Sequence, residues 1–121
     1  MFQNPGSPSK EHTAEFSYTG AICSGPVTID QTAAKAYLDG KYLDLTGAEY
    51  RLLSLLIRHD GQTLTRNFIL DELWDGHGNF VDDNTLSVYI RRLREKIEEQ
   101  PSRPEHLLTV RGMGYRWEGE R

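Results

Sequence analysis

The apolar positions of this chain fall into three runs of helical period set among shorter runs of strand character. The clearest lies at Asn84-Thr-Leu-Ser-Val-Tyr-Ile-Arg-Arg-Leu-Arg-Glu-Lys-Ile97. There Leu86, Ile90, Leu93 and Ile97 recur at i, i+4, i+7 and i+11, which makes one stripe of a helix. At about 100° per residue, Asn84, Val88, Arg91, Arg92 and Glu95 fall on the opposite side. A helix built this way buries one face and turns two arginines and a small apolar side chain outward.

Two further helices precede it. Thr46-Gly-Ala-Glu49 is a capping box, in which the hydroxyl and the carboxylate each take a free backbone N–H at the helix start. Tyr50, Leu53, Leu56 and Ile57 then keep helical spacing, with Leu52 and Leu55 widening the buried face. The run stops near His59-Asp60-Gly61, where Gly61 is the expected C-terminal cap. Thr65 is the expected N-cap of the next helix, whose apolar face is Phe68, Ile69, Leu70, Leu73 and Trp74. The nine-residue loop Asp75–Asp83 separates it from the third helix, which Asp82 or Asp83 caps.

Strand patterns flank the helices. Ala21–Cys23, Val27–Ile29, Ala36–Leu38 and Lys41–Leu43 are short pieces divided by turn formers, and Asp39-Gly40 is a two-residue hairpin signal. They predict a small antiparallel sheet of three or four strands, with Cys23 a buried thiol in one of them. At the other end, Leu107–Val110 and Tyr115–Glu118 read as a hairpin around Arg111-Gly-Met-Gly114. Gly112-Met-Gly114 is a weak nucleotide-binding signal, because it has no third glycine and opens no helix; it fits the tip of a hairpin. Residues 1–17 are polar, rich in turn formers and without apolar period, and read as a disordered tail or interdomain linker ahead of a domain at 18–121.

Composition narrows the function. A chain of 121 residues has room for one domain of modest core. It shows no apolar run long enough to span a bilayer and nothing resembling a signal peptide, so no membrane role is expected. A single cysteine allows no internal disulfide and no cysteine-based metal cluster, which fits a cytoplasmic location. The net charge of −4 hides an uneven distribution. Up to Asp83 there are 6 Lys/Arg against 12 Asp/Glu, whereas Asn84–Arg116 carries 7 against 4. Local potential rather than net charge steers a phosphate backbone, and the positive potential sits on the third helix and the hairpin.

Candidate chemistry can be tested against spacing. A calcium loop starting at Asp75 needs Asp or Asn third, Gly sixth and Glu twelfth; His77, Phe80 and Leu86 stand there instead. His77 with Asp82 lacks further ligands, and no nucleophile or oxyanion-forming turn accompanies Asp75, His77, Asp82 and Asp83. Neither catalysis nor a metal or cofactor is expected. The basic helix face remains, either as a solvated surface or as a reader of DNA. An α-helix fits the major groove, where Arg bonds guanine bidentately and Val meets a thymine methyl. A hairpin carrying Arg111 would lie beside it, at the minor groove. A protein-contact module, with an acidic partner over Arg91 and Arg92, is the competing reading.

Three helices followed by a hairpin, the third helix basic, describe an α+β winged helix-turn-helix. Leu45–Leu53, Leu70–Trp74, Val88–Lys96 and Thr109–Arg116 together resemble, in order and over about residues 18–118, the effector domain of OmpR/PhoB-family response regulators. The resemblance implies sequence-specific double-stranded DNA binding and transcription regulation, with the third helix, from about Asp83 to Gln100, in the major groove and the wing in the minor groove. It gives Val88, Arg91 and Arg92 base-edge or phosphate roles, places Arg94 at the helix flank and Thr109 on backbone phosphate, and assigns Arg111 and Gly112 to the wing. Asn84, Thr85 and Tyr89 complete the expected DNA-binding set. Asn84 stands where relatives often carry Arg, and Tyr89 where they often carry His, so the preferred operator is expected to differ. Asp75, His77, Asn79, Phe80 and Asp82 fall on the loop that meets RNA polymerase in relatives. The family also implies homodimers on direct repeats and control by a sensor kinase through phosphorylation of a receiver domain. No receiver pattern occurs here, and the chain is read as an isolated effector domain.

Overall fold

A computed structural model describes residues 20–73 and 82–119. The expected tail at 1–17, Trp74 and the loop residues Asp75, His77, Asn79 and Phe80 lie outside the described residues.

Short turns build the first layer. Strands β1 (Ala21–Ser24), β2 (Val27–Asp30), β3 (Lys35–Leu38) and β4 (Lys41–Leu43) form an antiparallel sheet in sequential order. Between β3 and β4, Asp39 and Gly40 take φ of 51° and 83°, the left-handed pair that a tight hairpin with the sheet's twist requires. Strand alternation turns Ile22, Ser24, Val27, Ile29 and Ala36 inward. By the same alternation Cys23 faces outward, so the expected buried thiol is an exposed one, in a cross-strand row with Thr28, Tyr37 and Tyr42.

Helix α1 (Gly47–Arg58) starts at the expected capping box: Thr46 Oγ1 accepts from the Glu49 N–H at 3.2 Å, and Glu49 Oε1 accepts from the Thr46 N–H at 3.1 Å. Its C-cap is His59 rather than Gly61. Gly61 follows in the next turn, where its N–H donates to the Trp117 carbonyl at 2.8 Å. Thr63–Thr65 forms a strand, β5, that local pattern did not announce. Thr65 still caps α2 (Arg66–Leu73), its hydroxyl accepting from the Phe68 N–H at 3.1 Å. On α2, Ile69 and Leu73 are buried and Leu70 packs against the core. Phe68, expected on that face, is exposed instead and stands edge-on to His59, because the buried stripe of this two-turn helix is narrower than its apolar run.

Helix α3 (Asp83–Ile97) buries all four stripe residues, Leu86, Ile90, Leu93 and Ile97. It ends at Ile97, short of the expected Gln100, because Glu98 turns into extended backbone. The wing strands β6 (Leu107–Val110) and β7 (Gly114–Trp117) pair antiparallel, and β5 adds to the other edge of β7, giving the order β5-β7-β6. Gly112, with φ of 77°, lies in the turn. Gly114 belongs to β7 and not to the hairpin tip.

Trp117 ties the layers together. Fully buried, it donates Nε1–H to Ser24 Oγ at 2.9 Å, and that hydroxyl donates to Asp60 Oδ2 at 2.7 Å. The first sheet, the end of α1 and the wing base therefore share one hydrogen-bonded chain.

Candidate nucleic-acid interface

The geometry starts from how α3 is anchored. Asp82 is the N-cap, its Oδ1 accepting from the Thr85 N–H at 2.8 Å, a bond that holds its carboxyl below the usual carboxylate range. Toward the other end, Lys96 Nζ donates to Glu49 Oε1 at 2.8 Å and to the Asp44 carbonyl at 2.8 Å. Burial alone would raise the Glu49 carboxyl, but the Lys96 ammonium, the Thr46 N–H and the Arg92 charge together bring it below its ordinary value. The cap closes the first turn of α3 and Lys96 ties its far end to the body, with the stripe between them in the core.

The outward face holds Asn84, Val88, Arg91 and Arg92, whereas Tyr89 packs partly against the core. Asn84, Arg91 and Arg92 are exposed, while Thr85, Val88 and Tyr89 are half-buried. On the wing, Thr109, Arg111 and Gly112 are exposed. Among the described residues, Arg91, Arg92 and Arg111 enter no hydrogen bond or ion pair, so three cationic side chains are available to an anionic partner. A groove of about 450 Å³ runs between the start of α3 and the wing, lined by Thr65, Arg66, Asp83, Thr109, Gly112 and Tyr115 among others.

Arg94 stands apart from the other expected contacts. It is half-buried, donating Nε–H to the Leu107 carbonyl at 2.9 Å and Nη2–H to Thr109 Oγ1 at 2.7 Å. Burial lowers its pKa, though a guanidinium remains charged at any physiological pH. Its fork is occupied within the protein, where it binds α3 to β6. Thr109 accepts that bond and keeps its own hydroxyl proton to donate outward.

Two residues that sequence reasoning passed over also shape the surface. Arg66, at the start of α2, reaches α3 and the wing together. Glu98, a buried carboxylate after α3, accepts from the backbone N–H groups of Glu105, His106 and Leu107 at 2.9, 2.9 and 2.7 Å. No local pattern marks either, since their partners lie at least seven residues away in the chain. Arg116 serves the sheet: its Nε sits 2.8 Å from Glu118 Oε2, outside hydrogen-bond geometry, and its Nη1 donates to Thr63 Oγ1.

Among the described residues, no cluster of three or more His, Cys, Asp or Glu side chains could hold a metal ion, and no helix is long and apolar enough to cross a membrane. A buried-stripe helix with a cationic outer face, standing beside a hairpin and preceded by two packing helices, defines a winged-helix domain.

The comparisons with known proteins resolve the family. The family described as "Transcriptional regulatory protein, C terminal" matches residues 40–117. "Sensory transduction protein RegX3" of Mycolicibacterium smegmatis is 42% identical over 100 residues, covering 83% of this chain and 43% of that protein. Response regulator DrrB of Thermotoga maritima, described as an OmpR/PhoB homolog, superposes with a TM-score of 0.74 at 31% identity, covering 83% of this chain and 45% of its own. The DNA-binding domain of Klebsiella pneumoniae RstA, solved in complex with the RstA box, gives a TM-score of 0.71 at 30% identity over 83% of this chain and 98% of its own. The chain belongs to this family, the DNA-binding effector domains of OmpR/PhoB-type response regulators that regulate transcription. It spans less than half the length of the curated relative.

Proposed function

We propose that this domain reads a specific double-stranded DNA sequence with α3 in the major groove and the wing in the adjacent minor groove. The observation that carries the reading is the unpaired face of α3: Asn84, Val88, Arg91 and Arg92 point away from a fully buried stripe. Phosphate contacts then position the domain, and base contacts select sequence. Thr85, Tyr89, Thr109, Arg111 and Gly112 extend that surface. Arg94, committed to β6, contributes by holding Thr109 in place. The domain acts in the cytoplasm and carries out no catalysis.

The finer assembly follows family membership. Two copies bind a direct repeat as a homodimer, and a phosphorylated receiver domain, itself answering a sensor kinase, controls them. Asp82 with Asp75, His77, Asn79 and Phe80 offers an acidic, partly apolar contact to RNA polymerase.

The test is selection from a randomised duplex library at about 0.15 M salt, where non-specific phosphate attraction is already weakened. An enriched motif repeated at about one helical turn supports the reading. Salt-sensitive binding without enrichment makes the basic face a non-specific or protein-contact surface. With the motif known, Arg92→Ala is expected to weaken binding by about 1–3 kcal/mol and relax preference at one or two base pairs. An equal loss on random DNA would make Arg92 a phosphate contact. Arg111→Ala is expected to weaken sites with A·T-rich flanks most, because a narrow minor groove concentrates negative potential. Titrations on duplexes differing only in flank decide this; unchanged affinity for A·T-rich flanks removes the wing from the interface.

A further inference from the structure

One guanidinium touches both halves of the proposed DNA-reading surface. Arg66 Nε donates to Asp83 Oδ1 at 2.9 Å, and its Nη2 donates to the Asp83 carbonyl at 2.9 Å and to Ser87 Oγ at 3.1 Å. Its Nη1 donates to the Tyr115 hydroxyl at 2.7 Å, with the guanidinium carbon 5.6 Å from the Tyr115 ring centroid. Four of the five guanidinium protons are thereby engaged inside the protein. Asp83 and Ser87 lie one turn apart at the start of α3, and Tyr115 sits in the wing strand β7. A planar fork meets these acceptors at once; a lysine ammonium on a flexible stem does not. The Asp83 carboxylate also keeps Arg66 more firmly protonated than a free arginine.

We infer that Arg66 is a positioning residue that fixes the angle between α3 and the wing, so that major-groove and minor-groove contacts are made by one rigid unit. The inference rests on the DNA-binding mode proposed above. With the angle set in the free protein, a correct core sequence and a correct flank reinforce each other, because the wing arrives in register without a separate ordering cost. Arg94 makes a second bond of the same kind between α3 and β6, but only Arg66 reaches the strand β7 that β5 and β6 both flank.

The test uses the chain as it stands, with Arg66→Lys, Arg66→Met and Tyr115→Phe, on selected duplexes whose flanks are A·T-rich or G·C-rich. Arg66→Lys is expected to bind the A·T-flanked duplex about tenfold more weakly while losing most of its preference over the G·C-flanked one. Tyr115→Phe, which deletes one bond and leaves the arginine in place, is expected to lose about threefold. The salt dependence is expected to stay the same for Arg66→Met, since the side chain neutralises no phosphate. Full rescue by lysine overturns the inference, as does a uniform loss on both duplexes with a salt slope shallower by about one phosphate. Absence of any selected motif with the unmodified chain would instead count against the DNA-reading proposal. The clamp is then decided without DNA: amide shifts across Leu107–Trp117 in folded Arg66→Lys must move, and unmoved shifts overturn it.

Discussion

Gly114→Ala is expected to unfold the domain at a midpoint roughly 12–20 °C below that of the unsubstituted chain, a loss of about 3 kcal/mol. A Cβ at Gly114 would lie 1.9 Å from the Leu64 carbonyl oxygen and 2.9 Å from both the Leu64 carbonyl carbon and the Thr65 Cα. All three are backbone atoms, so no side-chain rotation relieves the clash. Strand β5 would have to leave β7, breaking the register that pairs Leu64 with Tyr115 and Thr65 with Gly114. Overpacking in well-packed cores typically costs about 1–3 kcal/mol, and a rigid obstacle falls at the upper end. The displaced strand leads directly into Arg66, so the α3–wing clamp should loosen as well. Gly112→Ala is the matched control: its Cβ meets nothing within 4 Å, and only the φ of 77° opposes it, a strain of about 1 kcal/mol. Thermal melts of the two variants by circular dichroism separate the mechanisms. Equal shifts would mean that β5 does not press on Gly114.

Gly114 also shows where sequence reading stops. Its spacing from Gly112 suggested a hairpin tip, a local explanation, whereas the cause of the glycine is a strand about fifty residues earlier in the chain. Strand β5 is three residues long, too short for its single polar-apolar-polar alternation to mark a strand, and it is defined by its partner. By contrast, α1 and α3 were legible because their information is local: the Thr46–Glu49 box, the Asp82 cap and the stripe from Leu86 to Ile97 all lie within a few turns. The Asp39-Gly40 hairpin was legible for the same reason. Periodicity also assigned Arg91 and Arg92 to the outer face. It could not separate them from Arg94, which stands on the flank of the same helix but meets the Leu107 carbonyl across a loop. Cys23 shows a smaller failure: its strand was identified, but a short apolar run does not state which of its residues faces inward.

Glu98→Ala is expected to cost about 3 kcal/mol, comparable to Gly114→Ala but by loss of a buried acceptor instead of a clash. As the C-cap of α3, this carboxylate sits at the helix end where the macrodipole favours cations, so helix rules alone argue against it. What retains it is the loop beyond. Three successive N–H groups, of Glu105, His106 and Leu107, converge on its two oxygens, and Leu107 is fully buried. A carboxylate taking several backbone N–H groups makes charge-assisted bonds about twice as strong as neutral ones. Removing it leaves the Leu107 N–H without an acceptor in the core, while the N–H groups nearer the surface can turn to water. Glu98→Gln is expected to cost about half as much, because its amide keeps one acceptor oxygen and presents N–H donors to the others. The loop it closes delivers β6 to α3, where Arg94 takes the Leu107 carbonyl, so the damage extends to the wing. Urea denaturation should show a lower midpoint for Glu98→Ala with an unchanged slope. A loss below about 1 kcal/mol would mean that solvent, not the carboxylate, satisfies this turn. A changed slope would mean that the wing already separates from α3 before the core unfolds.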